Sequence, residues 1–361
     1  MSVTDLAREL VAVPSHEDES AAGDLVEDWL ADETDGSVER DGAGNVVARR
    51  NAGADRSLAL VGHHDVVPPD DDQIEDGDYV VAERDGRLYG RGTADMKGSV
   101  AAAMVAFRDA DVHPGTELVF VSFAGEESGG VGCRAAIDDG FAPDYAVVGE
   151  GSTSYSAEGV TDVAVAHKGR RGSTVLAEGA SSHASEPEAG ENAIYRAADA
   201  VDVVRDLDAP ETEVLGHHLG GSVVVTEIDG GSAWNVVPER CEFTVDERTV
   251  PGERAALERA ESVEGVTWEV DQDLPPMACD DPDFAEAVVD AAAASQDGDP
   301  RQVVKPHATD AGWLADRAGT TCVVCGAAEP GEAHTADESV SLEVIERCAA
   351  LYRRVAEADL D

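Results

Sequence analysis

Between residues 45 and 150, short apolar runs alternate with helical segments, and the runs end on or just before histidine or carboxylate residues. Segments 45–50, 58–64, 116–124 and 144–149 are continuous apolar stretches of strand length, and 97–110 and 130–139 read as helices. Uninterrupted apolar strands suit a sheet covered on both faces, which is the environment of parallel strands joined by helices. Two amphipathic stretches, 3–12 and 17–31, precede them as helices, the second opened by Ser15 as N-cap. The order predicts an α/β layer with a mostly parallel sheet.

From about residue 170 the pattern changes to strand 170–179, helix 191–206, strand 221–229, strand 239–248, helix 252–263 and strand 266–272. This βαββαβ order matches the ferredoxin-like α+β unit. Alternation then resumes with helix 282–294, strand 302–304, helix 310–317, strand 320–325 and helix 338–357. The expected organisation is a catalytic domain in two parts, 1–168 and 277–361, with 169–276 inserted between them.

With 76 acidic and 26 basic residues the formal net charge is −50, which argues against nucleic acid as a partner. Only three of the basic residues are lysines (Lys97, Lys168 and Lys305), and the acids are spread along the chain, a composition expected of an extreme halophile. Disorder is not expected, because apolar periodicity persists throughout. No export signal and no run of roughly 18 apolar residues is visible, so a cytoplasmic location without membrane partners is expected. The six cysteines are read as reduced, and Cys322 and Cys325, a C-x-x-C inside the apolar run TCVVC, as strand packing.

Five elements carry chemistry. LALVGHHDVVPPD is a buried strand whose alternation puts His63 and Asp65 on one face and His64 on the other. His63 is then the better metal ligand, with Asp65 its orienting carboxylate. LYGRGTADMKG is a Gly-rich turn that sets Asp95 near the start of an Ala-rich helix; it fits neither nucleotide-binding glycine spacing. VFVSFAGEESGG runs into the adjacent acids Glu126 and Glu127, of which one can ligate a metal while the other serves as base. DYAVVGEGS ends at Glu150, and GEAHTADES places His334 before the last helix. Two histidines and three carboxylates suit zinc or a similar divalent metal. Five ligands exceed the usual three of a single catalytic zinc, which argues for two metals sharing a bridging carboxylate, roughly 3.5–4 Å apart.

These motifs, in this order, resemble the M20 metallopeptidase family, which includes succinyl-diaminopimelate desuccinylase, acetylornithine deacetylase, aminoacylases and glutamate carboxypeptidases. GHHDVVP, LYGRGTADMKG and GEESGG carry the likeness, which runs nearly end to end. The resemblance implies that His63, Asp95 and Glu150 hold one metal and that Glu127, His334 and the bridging Asp95 hold the other. It implies zinc first, with cobalt or manganese able to replace it. Asp65 would orient His63, and Glu126 would be the general base that takes a proton from the attacking water and passes it to the leaving amine. The inserted domain would mediate a homodimer, with its opening matched by Lys168 to Gly172. His183 resembles the histidine that stabilises the oxyanion, usually from the partner subunit, and Asn235 and Arg248 resemble binders of the substrate carboxylate. Gly151 after Glu150, and HTADE around the last histidine, depart from the commoner family residues without removing a ligand.

The expected function is removal of an N-acyl group from a small amino acid, with N-succinyl-diaminopimelate and N-acetylornithine as first substrates. A dipeptidase or glutamate-type carboxypeptidase of the same architecture is the alternative, and a non-catalytic binding protein would be expected to lack the base or a ligand. His16, His113, His217, His218 and His307 match no ligand position. Thr309 and Asp310 resemble a motif near the substrate, but a helix N-terminus explains them as well.

Self-repulsion at this charge weakens as salt screens it over a few ångströms. The thermal unfolding midpoint should therefore climb as KCl is raised from about 0.1 to 3 M. A midpoint that stays flat or falls would remove self-repulsion as a limit on stability.

Overall fold

In the computed structural model, which describes residues 1–359, the apolar runs pair into a nine-stranded sheet. The strands Thr116–Phe123, Arg56–His63, Tyr145–Val148 and Thr321–Val324 lie side by side and parallel at its centre. Antiparallel strands flank them, Ser37–Arg40 and Val46–Arg50 on one side and Val163–His167 on the other. His63 stands opposite Phe123, and Val61 opposite Val148, so three of the parallel strands stop almost level. The helix Gly98–Asp109 is buried on every side from Gly98 to Phe107, packed against Val3–Ala12, Leu342–Glu357 and the sheet. Its run of alanines leaves room for that close approach from several directions.

The chain divides into two compact units, one built from Met1–Ala166, Met277–Lys305 and the chain from Thr309 on, the other from His167–Pro276 with Pro306–Ala308. The smaller unit keeps the four long strands and the first helix of the expected ferredoxin-like order, with only a 3₁₀ turn where its second helix is expected. Its strands Gly169–Glu178, Ser222–Gly230, Arg240–Thr249 and Val266–Leu274 form an antiparallel sheet in the spatial order second, third, first, fourth. The helix Ala193–Arg205 covers one face through a core that includes Val175, Ala197, Phe243, Val245 and Leu257. The alternation of buried and part-exposed residues along Arg240–Thr249 is that of a sheet with one covered face.

Three local expectations are corrected. The second helix runs Ser20–Glu33 with Glu19 as its cap. Ser15 lies upstream, its backbone N–H donating to the Tyr79 hydroxyl at 3.2 Å. Segment 252–263 is not a helix; only a short 3₁₀ turn, Leu257–Ser262, forms. The reason is a buried ion pair: Arg171 Nη2 donates to the Ala255 carbonyl at 2.6 Å while Glu247 Oε1 accepts from the Ala255 N–H at 2.8 Å. Both backbone groups of Ala255 are thereby used before a helix could claim them. The last helix begins at Leu342, because Ser339–Ser341 is a strand paired with Arg87–Tyr89.

All six cysteines are buried and unpaired, Cys322 and Cys325 within or beside the central strand Thr321–Val324. No helix among the described residues is long and apolar enough to cross a membrane.

Replacing Glu247 with Ala leaves Arg171 buried without its partner, a change that typically costs about 3–5 kcal/mol. Urea unfolding of Glu247→Ala in high salt should show an unfolding free energy lower by that amount, seen as a lower midpoint at unchanged slope. A loss below about 1 kcal/mol would mean that the pair does not hold the 250–257 loop.

Candidate metal centre

Parallel strands end on one edge of a sheet, and the loops that diverge there leave a crevice. His63 is the last residue of Arg56–His63, Glu126 and Glu127 sit in the turn after Thr116–Phe123, and Glu150 follows Tyr145–Val148. Asp95 comes from the turn Thr93–Lys97 at the head of the Ala-rich helix, where its backbone is non-helical (φ −127°, ψ 92°). Glycine is required at 92, where φ is +84° and a Cβ would lie 2.6 Å from Val66 Cγ1. His334 is presented from a loop with φ +61°, a left-handed conformation uncommon outside glycine.

Asp95 stands between the two imidazoles. Its Oδ1 is 3.0 Å from His63 Nε2 and its Oδ2 is 3.0 Å from His334 Nε2. Glu150 Oε1 lies 3.4 Å from the same nitrogen of His63, and Glu127 Oε1 lies 3.0 Å from the same nitrogen of His334. Donor atoms around a tetrahedral ion with bonds of about 2.0–2.1 Å stand about 3.3 Å apart, so this spacing fits divalent cations. The donors of His63, Asp95 and Glu150, and those of Asp95, Glu127 and His334, each gather within 4.8 Å, as do those of His63, Glu126 and Glu127.

Asp65 sits under this cluster. Its two carboxylate oxygens accept the backbone N–H groups of Glu126 and Glu127, each at 3.0 Å, so one side chain holds the turn that carries both acids. His63 Nδ1 is 3.0 Å from the Asp65 carbonyl and 3.4 Å from its carboxylate. A proton held on Nδ1 would leave the Nε2 lone pair free for a cation lying between it and Asp95. His64 points away, its Nδ1 2.9 Å from Ser122 Oγ, and burial pushes its pKa down to about 4.

Electrostatics mark the cluster as short of positive charge. Burial opposes the His63 imidazolium, but hydrogen bonds to Asp65, Asp95 and Glu150 outweigh it and raise its pKa well above the usual value. His334 is lifted to about 10 by its hydrogen bonds to Asp95 and Glu127. Burial works to raise the Asp95 pKa, yet hydrogen bonds from His334 and His63 hold it far below the usual carboxylate range. Burial pushes Glu126 well up and raises Glu127. Protons on the two histidines answer the surplus of carboxylates, a task that divalent cations would take over when bound.

Lys97, Lys305 and Glu338 are neighbours to which the sequence assigns no role, whereas Thr309 and Asp310 resemble a motif near the substrate. Lys305, buried, donates to Glu150 Oε2 at 3.3 Å and to the Gly151 carbonyl at 3.0 Å. Lys97, fully buried, donates to the Val13 carbonyl at 2.6 Å, and burial lowers its pKa to about 7. Two of the chain's three lysines thus line this region, and their rarity was the signal available. Asp310 is buried with no hydrogen-bond partner for Oδ1 among the described residues, and burial lifts its pKa to about 7. The Thr309 hydroxyl beside it caps the helix Asp310–Trp313 by accepting from Ala311 N–H at 3.2 Å. Glu338, also buried, accepts from the N–H groups of Ala94 and Asp95; among 76 acids nothing in sequence set it apart.

The remaining candidates lie in the smaller unit. Exposed His183 and Asn235 share a two-stranded ribbon, Ser182–His183 with Val236–Val237, where the Ala184 N–H donates to the Asn235 carbonyl at 2.9 Å. His183 Nδ1 is 2.6 Å from Ser185 Oγ. Arg248, part-exposed on Arg240–Thr249, donates from Nε to Asp246 Oδ1 at 2.8 Å.

Residues 59–358 match the model of peptidase family M20/M25/M40. An acetylornithine deacetylase from Proteus mirabilis (strain HI4320) is 30% identical over 270 residues, covering 69% of this chain and 67% of that protein. Among solved structures, the aminopeptidase PepT from Bacillus cereus ATCC 10987 superposes with a TM-score of 0.79 at 21% identity, covering 98% of this chain and 97% of the other. The M20 metallo-carboxypeptidase Sso-CP2 from Sulfolobus solfataricus gives 0.75 at 14% identity over 99% of both chains. The YXEP protein of Bacillus subtilis, a dinuclear metal binding peptidase, gives 0.73 at 16% identity, covering 98% of this chain and 96% of the other. The chain belongs to peptidase family M20/M25/M40 and is, as a member, a hydrolase of amide bonds.

Proposed function

We propose that the chain removes an N-acyl group from a small amino acid, using two divalent cations, zinc before cobalt or manganese. The observation that carries this reading is Asp95, with one oxygen 3.0 Å from each of two imidazole nitrogens that belong to different donor groups. His63, Asp95 and Glu150 would hold one cation, and Asp95, Glu127 and His334 the other. When bound, the pair would polarise the scissile carbonyl and make water easier to deprotonate.

The protein's own part falls to Glu126 and Asp65. Asp65 fixes the Glu126 backbone, so the carboxylate is held beside the ligand cluster while remaining outside the two donor groups just named. Burial raises its pKa, which suits a group that must first accept a proton from water and then release it to the leaving amine nitrogen. His183 is assigned to the developing oxyanion, and Asn235 and Arg248 to a substrate carboxylate, where the planar guanidinium favours bidentate pairing. A homodimer through the smaller unit is supported by Val224 and Ile228, exposed on the edge strand Ser222–Gly230, and by Ile194 and Tyr195 on the adjoining helix. A cytoplasmic setting is supported by six unpaired cysteines.

The deacylase reading is favoured over peptide-bond cleavage by the acetylornithine deacetylase relative. Its test is amine release in high salt with added zinc or cobalt, from N-acetylornithine, N-succinyl-diaminopimelate, other N-acetyl amino acids and dipeptides. A dominant N-acyl substrate supports it, and faster release from dipeptides would overturn it.

Glu126→Gln should bind both cations as the wild type does, while kcat falls by about 10²- to 10⁴-fold. Turnover retained at full metal content would refute the assignment of Glu126 as the base.

A further inference from the structure

We propose that Glu338, with Arg91 as its counter-ion, is a positioning residue that locks the loop carrying Asp95 to the loop carrying His334. The inference rests on the dinuclear reading above and adds a residue that touches neither substrate nor cation.

The backbone brings the parts together first. The strands Arg87–Tyr89 and Ser339–Ser341 pair antiparallel, with Tyr89 opposite Ser339. One residue beyond the pair, the Gly90 N–H donates to the Glu338 carbonyl at 3.1 Å. The chain leading toward Asp95 and the chain arriving from His334 are thus side by side at Glu338. On the His334 side, the Glu338 N–H donates to the Thr335 carbonyl at 3.2 Å, and Gln73 Nε2 donates to that same carbonyl at 3.1 Å.

The Glu338 carboxylate then closes the junction. Oε2 accepts from Arg91 Nη1 at 2.5 Å, and Oε1 accepts from the N–H groups of Ala94 at 3.0 Å and Asp95 at 3.2 Å. Glu338 is 1% exposed and Arg91 2%, so water cannot readily replace these bonds. The turn at Asp95 is non-helical, and its amides have no carbonyl four residues back to serve them. Glu338 satisfies two of them and sets the direction in which the Asp95 side chain leaves the backbone. Metal–ligand distances hold to within about 0.2 Å, so a carboxylate aimed at two imidazoles at once tolerates little rotation of its backbone.

A merely structural ion pair would affect unfolding and leave cation binding alone. The clamp makes a different demand: cation sites that share Asp95 and depend on His334 should loosen when Glu338 is altered, the His334 site most. Glu338→Gln removes the charge opposite Arg91 and offers one acceptor where two oxygens worked. Glu338→Asp keeps the charge but is one methylene too short to reach both Arg91 and the Asp95 turn, and serves if the first variant fails to fold.

The experiment is cobalt(II) titration of metal-stripped full-length chain, wild type and both variants, followed by visible absorption and equilibrium dialysis, with thermal unfolding of the metal-free proteins alongside. The expected result is a folded variant that takes up one cobalt tightly and the second about 10- to 100-fold more weakly, with an altered visible spectrum. Two cobalt ions bound at wild-type affinity with an unchanged spectrum would overturn the clamp, whatever the unfolding midpoint does. A wild-type chain that binds fewer than two cobalt ions would overturn the dinuclear reading itself, and the clamp with it.

Discussion

The structure around the candidate site is organised by one carboxylate placed between two imidazoles. Each oxygen of Asp95 faces a different histidine at 3.0 Å, and those histidines come from segments more than 250 residues apart in sequence. Such an arrangement leaves every participant dependent on its neighbours' backbones. The His63 strand must end level with the strand that feeds Glu126 and Glu127, and the turn at Asp95 must pack against Val66 closely enough to demand Gly92. Arg91 and Glu338 tie that turn to the His334 side. The parallel sheet provides the level edge, and hydrogen-bonded carboxylates fix what the sheet leaves loose.

Carboxylates play two opposed parts in this chain. Over most of the surface they are solvated and repel one another, which explains the −50 formal charge without reference to any site. Inside, Asp65, Glu247 and Glu338 are each bonded to two backbone amides or to an amide and an arginine. The buried acids define loops that have no regular secondary structure. They do so because a buried carboxylate must satisfy both oxygens, which forces specific donors into specific places.

Several elements were misread for the same reason. Segment 252–263 has helical composition, yet Arg171 and Glu247 take both backbone groups of Ala255, and the chain stays open until Leu257. Val340 stands four residues before Val344 and so extends the apolar stripe of the last helix, yet Ser339–Ser341 pairs with Arg87–Tyr89. Ser15 is a favoured cap residue followed by acids, but the helix starts at Ser20. Local propensity was overruled each time by a partner distant in sequence, which no window of ten or fifteen residues can contain.

From the residues alone, the strand runs ending at His63, Glu126 and Glu150, the Gly-rich turn before the Ala-rich helix, and the change of pattern near residue 170, apart from its second helix, were readable. They follow from side-chain periodicity and from the cost of burying backbone and charge, both of which are local. Tertiary structure alone decided that Asp65 grips the Glu126 and Glu127 amides, that Lys305 leans on Glu150, and that Glu338 serves the Asp95 turn. Among 76 acidic residues the sequence has no mark for a carboxylate that will be buried. Burial depends on which segments meet, and hydrogen bonds and charge interactions act at a few ångströms in space irrespective of separation along the chain.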